Sequence, residues 1–134
     1  MNAEHFLDTN ILIYAFTSDD PRNEKAENLV AVGGTVSVQV LNEFVNVSRH
    51  KLGREWNEIR DELSVLNRLL APPVPITVEI HDAALDIAQR YGFQFYDSLI
   101  VAAALRAKCS TLYTEDLQHG QKIEGLTVKN PFKS

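Results

Sequence analysis

The sequence predicts an α/β fold, a mostly parallel sheet covered by helices on both faces. Three observations predict it. Short β-branched or apolar stretches alternate with helix-length amphipathic segments, the pattern of strands joined by helical crossovers. Polar or acidic residues follow the first and fourth strand stretches directly, at Asp8-Thr9-Asn10 and Glu115-Asp116. One helix-length stretch, Leu99 to Lys108, is almost wholly apolar through Ala107 except at Arg106, as a central buried helix requires.

The first element is read from Phe6-Leu-Asp-Thr-Asn-Ile-Leu-Ile-Tyr-Ala-Phe16. A strand stops at Leu7, turns through Asp8-Thr9-Asn10 and enters a helix that runs to Phe16. Thr9 and Asn10 suit its N-cap. Ser18-Asp-Asp-Pro21 is a turn, with Pro suited to a first helical turn. Arg22 to Val32 is a helix with Ala26, Leu29 and Val30 on one face, stopped by Gly33-Gly34. Thr35-Val-Ser-Val38 alternates as a second strand. Gln39 to Lys51 has apolar residues at helical spacing, with Glu43 among them.

Arg54 to Leu70 is an amphipathic helix through Trp56, Ile59, Leu63, Leu66 and Leu70, ended by Pro72-Pro73-Val74-Pro75. Ile76-Thr-Val78 is a third strand. Glu79 to Tyr91 is a helix with Ala83, Ala84, Ile87 and Ala88 facing in, closed by Gly92. Asp97-Ser98 opens the apolar helix. Thr111 to Thr114 and Leu126 to Val128 are the fourth and fifth strands. No linker or repeat interrupts the 134 residues, so residues 1–134 read as one domain.

Hydrophobic residues make up 45% of the chain and charged residues 23%, which fits a soluble globular protein. No apolar run approaches the roughly 20 residues of a membrane span. Met1 to His5 shows no basic segment followed by an apolar one, so no signal peptide is expected. The single cysteine, Cys109, excludes an intrachain disulfide and reads as a small buried hydrophobe. These features point to a reducing, cytoplasmic setting. A net charge of −5 argues against a purely electrostatic nucleic-acid binder, less strongly if some acids hold metal.

Four acids occupy special positions. Asp8 ends the first strand, Asp116 follows the fourth, Asp97 opens the apolar helix, and Glu43 lies about one turn into the helix after the second strand. In a parallel sheet these positions share one rim. Carboxylates crowded there raise one another's pKa, and a divalent cation offsets this. Oxygen ligands favour Mg²⁺ or Mn²⁺, and no His-Cys spacing competes as a zinc site. Each acid taken singly also fits a bland role: a cap or turn for Asp8, Asp97 and Asp116, a structural partner for Glu43.

Phe6-Leu-Asp-Thr-Asn10, Glu43 in Val40-Leu-Asn-Glu-Phe44, Tyr96-Asp-Ser98 and Leu112-Tyr-Thr-Glu-Asp-Leu117 together resemble the PIN-domain ribonuclease signature. The match runs from about Phe6 to Phe132. Within that family the chain is most similar to VapC-type toxins of toxin–antitoxin pairs, through Thr114 to Gly120 and Gly125 to Phe132. The resemblance implies a Rossmann-like sheet of strand order 3-2-1-4-5 and Mg²⁺- or Mn²⁺-dependent RNA cleavage leaving 5′-phosphate and 3′-hydroxyl ends. It implies an acidic quartet of Asp8, Glu43, Asp97 and Asp116, oriented by Asn10 and Thr114. Asp8 and Asp97 are then the principal metal ligands. Asp116 binds directly or through water, and Glu43 ligates metal or orients the attacking water. Glu115 is expected to point away. A homodimer and a small VapB-type antitoxin covering the cleft are implied partners, with Ile11, Leu12 and Phe16 either a groove for its helix or core.

Arg49, His50, Lys51 and Arg54 form the densest basic stretch. They either complement a helix dipole or meet phosphate. Arg22 and Lys25 flank the first loop and are alternative RNA contacts. His119 reads as a loop residue. Tyr96 and Trp56 are expected to pack rather than stack a base. Other functions remain open: a housekeeping PIN nuclease of RNA processing, a non-catalytic module of the same fold, or a phospho-receiver. The receiver needs an acid pair after the first strand and an acceptor Asp after the third. A dehalogenase-type phosphatase needs a second Asp where Asn10 stands.

Overall fold

Phe6 and Leu7, wholly buried, form β1 (His5–Leu7) and give the sheet its middle. β1 pairs in parallel with β2 (Thr111–Tyr113), Phe6 opposite Leu112. β2 pairs in parallel with β4 (Leu126–Lys129), Leu112 opposite Val128, and β4 pairs antiparallel with β3 (Lys122–Ile123). The computed structural model describes residues 4–133; Met1 to Ala3, where a leader was sought, lie outside the described residues.

The α/β class and the mostly parallel sheet are as expected. The ladder order, β1-β2-β4-β3, departs from 3-2-1-4-5 in two respects. On the far side of β1 the second and third stretches lie in the expected places, but only as single parallel bridges, Phe6 to Thr35 and Ser37 to Val74. Ser37 explains the first. Its hydroxyl accepts the Val40 N–H at 3.2 Å, so helix α3 (Val38–His50) begins where the strand was expected to continue. Thr77 does the same for α5 (Val78–Tyr91), accepting the Ile80 N–H at 3.1 Å. The third strand therefore sits at Val74, not at Ile76 to Val78. Pro73 and Pro75 have no N–H to offer, which suits an edge. The second departure is β3, too short to show alternation, returning through Glu124 at φ 56° and Gly125.

Among the described residues six helices cover the sheet: α1 (Thr9–Ala15), α2 (Asn23–Val32), α3, α4 (Trp56–Leu69), α5 and α6 (Phe95–Arg106). α6 starts earlier than expected, so Asp97 lies in its first turn rather than opening it. Ser98 through Ala104 are buried, as an apolar helix demands. α5 lies along α6 and buries Ile80, Ala84 and Ile87, while Ala83 stays exposed. Gly92 ends α5 in the left-handed region, φ 74°. Ile11 and Leu12 are wholly buried, so they are core and offer no groove to a partner helix. Each such side chain contributes roughly 1.5–3 kcal/mol by leaving water. Gly34 permits the close pass of the second stretch along β1: a Cβ there would sit 3.0 Å from the His5 carbonyl oxygen. Among the described residues no helix is long and apolar enough to cross a membrane.

Candidate active site

The carboxyl end of β1 delivers Asp8 to the point where the chain turns into α1. Asp8, rather than Thr9 or Asn10, is the N-cap: its Oδ1 accepts the Thr9 N–H at 2.7 Å. Its Oδ2 accepts from the Thr114 hydroxyl, also at 2.7 Å. The residue is only 4% exposed. Thr114 follows β2, and the backbone locks the two strand ends together, Asp8 N–H donating to the Tyr113 carbonyl at 3.0 Å.

Thr114 is the joint between two acids. Besides donating to Asp8, its hydroxyl oxygen accepts the Asp116 N–H at 3.0 Å and lies 3.3 Å from Asn10 Nδ2. Asn10 Nδ2 also donates to Asp116 Oδ2 at 3.1 Å. Asn10 Oδ1 is buried without a hydrogen-bond partner. Glu115 turns aside: it accepts from the Tyr14 hydroxyl and pairs with Arg22 at 3.3 Å. Arg22 also holds Asp20 at 2.8 Å and lies 3.8 Å over the Tyr14 ring. This strap, which the sequence did not reveal, ties the loop after α1 to the segment that carries Asp116. Burial and the bond to Glu115 push the Tyr14 phenol up to about 12.

Glu43 stands on α3, half-buried, with Oε2 accepting from Gln39 Nε2 at 2.9 Å and Oε1 lying 3.4 Å from the Thr9 hydroxyl. The Gln39–Glu43 spacing of four residues was visible in the sequence as a helical pair. Two grooves open on either side of Glu43 and Val47. One, of about 260 Å³, is lined by Asn10, Tyr14, Lys51 and Asp116 among others. The other, of about 510 Å³, takes in Asn42, Asn46, Gln94, Tyr96 and Asp97. Asp8 lines neither groove; it is buried next to Thr9 and bonded to Thr114.

The acids share one electrostatic field. Burial first, then Asp116 and Glu43, push the Asp8 carboxyl up to about 7, against the lowering pull of its two hydrogen bonds. Burial first, then the same two acids, raise Asp97 as well. Side chains from β1, α3, α6 and the turn after β2 thus converge on one rim. They do not close on a point: among the described residues no three Asp, Glu, His or Cys side chains are gathered tightly enough to hold one ion. Glu43 and Asp116 are instead engaged by the neighbouring amides of Gln39 and Asn10. The donor chemistry still fits a hard cation. The oxygens are carboxylate or amide, Asn10 Oδ1 lacks a partner, and positive charge would offset the repulsion that raises Asp8 and Asp97.

Three of the candidate basic residues, Arg22, Arg49 and Arg54, are already engaged. Arg54 donates to the Phe16 carbonyl at 2.8 Å and pairs with Glu62 at 3.2 Å, so it braces the fold. Arg49 donates to the Arg54 carbonyl and lies 5.1 Å from the Trp56 ring centre. Lys51 makes no ion pair among the described residues and lines the groove with Asp116. Trp56 and Tyr96 are 52% and 62% exposed, contrary to the expectation that they pack. His119 is exposed and its Nδ1 accepts the Asn130 N–H.

A family model described as the PIN domain matches residues 5–122. No curated protein matches the chain by sequence. Solved structures similar to it include a toxin–antitoxin complex from Klebsiella pneumoniae, 24% identical with TM-score 0.72, covering 99% of this chain and 100% of that one. VapC20 of Mycobacterium tuberculosis, described as a sarcin–ricin-loop-cleaving toxin, is 18% identical with TM-score 0.70, covering 84% and 89%. VapBC2 of Rickettsia felis, bound to a DNA fragment from its promoter, is 21% identical with TM-score 0.65, covering 94% and 97%.

Proposed function

The chain belongs to the PIN-domain family, and from that membership and its rim of acids we propose that it is a Mg²⁺- or Mn²⁺-dependent endoribonuclease, one PIN domain over residues 1–134. The observation that carries the reading is the Asp8–Thr114–Asn10–Asp116 network. It spends two hydroxyl or amide side chains on holding acids in place at a cleft, where an ordinary cap needs neither.

Asp8 and Asp97 would hold the cation, with Asp116 binding directly or through water. When bound, it supplies charge to polarise the scissile phosphate and acidify a water. Thr114 and Asn10 fix the Asp8 and Asp116 carboxylates, so little reorganisation is needed when substrate arrives. Glu43, between the two grooves, orients the attacking water and accepts its proton. The water oxygen bonds to phosphorus, the bond to the 3′-oxygen breaks, that oxygen takes a proton from solvent, and 5′-phosphate and 3′-hydroxyl ends remain. Lys51 neutralises a phosphate flanking the scissile one.

The similar toxin and toxin–antitoxin structures support one part of the biological setting, the toxin of a toxin–antitoxin pair; a cytoplasmic location and inhibition of translation complete the proposal. A small VapB-type antitoxin and a homodimer belong to the same reading. The test is to sequence cellular RNA 5′ ends after induction of wild type and Asp8→Asn. New 5′-phosphate ends at few sites, growth arrest and absence of both in the variant support it. Identical ends from both proteins would refute it.

A further inference from the structure

The larger groove has a lining unlike the rest of the rim. No lysine or arginine faces it. Its polar side chains beyond Glu43, Asp97 and Tyr96 are carboxamides: Gln39, Asn42, Asn46 and Gln94. Gln39 is engaged by Glu43, but Asn42, Asn46 and Gln94 make no side-chain hydrogen bond among the described residues. At its edge stands Tyr96, one residue before Asp97. Its ring meets Phe95 at a tilt with centroids 6.1 Å apart and is otherwise open to solvent.

Away from the cation that Asp97 would hold, a phosphate is poorly served there, beside Glu43 and with no lysine or arginine in the lining. A cationic protein side chain would meet Glu43 and Asp97 but leave the amide N–H groups of Asn42, Asn46 and Gln94 unmatched, since it carries no acceptor. A flat, neutral group carrying both donors and acceptors on its edge matches the lining. The volume of about 510 Å³ lies in the range of small-ligand clefts. Resting on the ribonuclease reading above, we propose that this groove is a subsite for one unstacked nucleobase of single-stranded RNA. Tyr96 is its stacking face, and Asn42, Asn46 and Gln94 are its hydrogen-bonding set. The base would belong to a nucleotide beside the scissile phosphate, because Asp97 and Glu43 line the same groove. Paired RNA cannot offer such a base, since an intact duplex keeps its faces stacked.

The experiment measures binding of a short unstructured RNA oligonucleotide by fluorescence anisotropy in the cleavage-dead Asp8→Asn background. Tyr96→Ala should weaken binding by about 5- to 150-fold, the value of one base–aromatic stack, while Tyr96→Phe and Tyr96→Trp stay close to the parent. In the otherwise wild-type enzyme, Asn42→Ala with Asn46→Ala should relax the base preference at one position of a randomised RNA library. Unchanged affinity in Tyr96→Ala overturns the subsite and leaves the nuclease reading standing. So does a Mn²⁺ affinity that falls together with RNA affinity in Tyr96→Ala made in the wild-type background, since Tyr96 would then act only through Asp97. A protein inhibitor that loses affinity while RNA does not would assign the groove to a protein side chain. Failure of the unmodified enzyme to cut RNA at all would sink both readings.

Discussion

Asp8 and Asp97 hold matching places in the sequence, each an acid beside a helix start, yet their surroundings differ. Asp8 is buried, accepts hydrogen bonds from Thr9 and Thr114 and has its carboxyl raised to about 7. Asp97 lines an open groove, accepts no hydrogen bond among the described residues and has its carboxyl raised by partial burial first, then by Asp116 and Glu43, with no hydrogen bond pulling it down. The difference teaches that one acid is fixed before any cation arrives and the other is free to adjust. In the proposed cation site Asp8, just past β1, would be the rigid anchor and Asp97 on α6 the movable ligand.

The largest expected effect is on catalysis. Asp8→Asn and Asp97→Asn should each lower RNA cleavage by about a thousandfold or more, because either removes charge from the cation site. Circular dichroism should show both folded. The contrast appears in stability. Metal-free Asp8→Asn should melt higher than wild type at pH 8, and Asp97→Asn should shift the melting temperature much less. Equal shifts would erase the distinction between the two acids.

The pH dependence follows from the direction of the Asp8 shift. A carboxyl whose pKa is raised on folding keeps its proton longer in the native state. Folding is therefore unpenalised below the unfolded value near 4 and loses stability as pH rises toward 7. Wild type freed of metal should be more stable at pH 5 than at pH 8, by about 2–3 kcal/mol from this group, as read by denaturant unfolding. Added Mn²⁺ should restore stability at pH 8. A flat profile would mean that Asp8 is not strained by its site.

Thr114→Val tests the anchor without touching an acid. Loss of its hydroxyl should weaken Mn²⁺ binding by about 10- to 100-fold, the usual range for a residue that orients a ligand. The smallest effect belongs to Lys51→Ala. Its RNA affinity should fall modestly, and the slope of log affinity against log salt should decrease by about 0.7, one phosphate contact on a single strand. Arg54→Ala should instead lower stability, because that side chain braces the Phe16 carbonyl and Glu62.

What the sequence made legible was the alternation of elements and the polar breaks after the first and fourth strands. Those breaks placed Asp8 and Asp116 because a buried strand must end where polar side chains begin. The sequence favours Thr9 and Asn10 as the cap, with Asp8 as the bland alternative, since Asp, Thr and Asn in a row are all competent caps and only the backbone decides. Ser37 and Thr77 shortened two strands by capping helices, and short β-branched runs do not distinguish strand from cap. The Tyr14–Glu115–Arg22 strap joins residues about 100 apart, which no local spacing signals. Ile11 and Leu12 as core, and Trp56 and Tyr96 as exposed, depend on which helix face meets the sheet.

Calorimetric titration of Mn²⁺ tests the central claim most directly. At pH 6, where the Asp8 carboxyl still holds much of its proton, wild type should bind Mn²⁺ and release proton into the buffer. At pH 9 it should bind with little release, and Asp8→Asn should bind far more weakly at both. Titrations without heat for wild type, or binding unchanged by Asp8→Asn, would contradict the account.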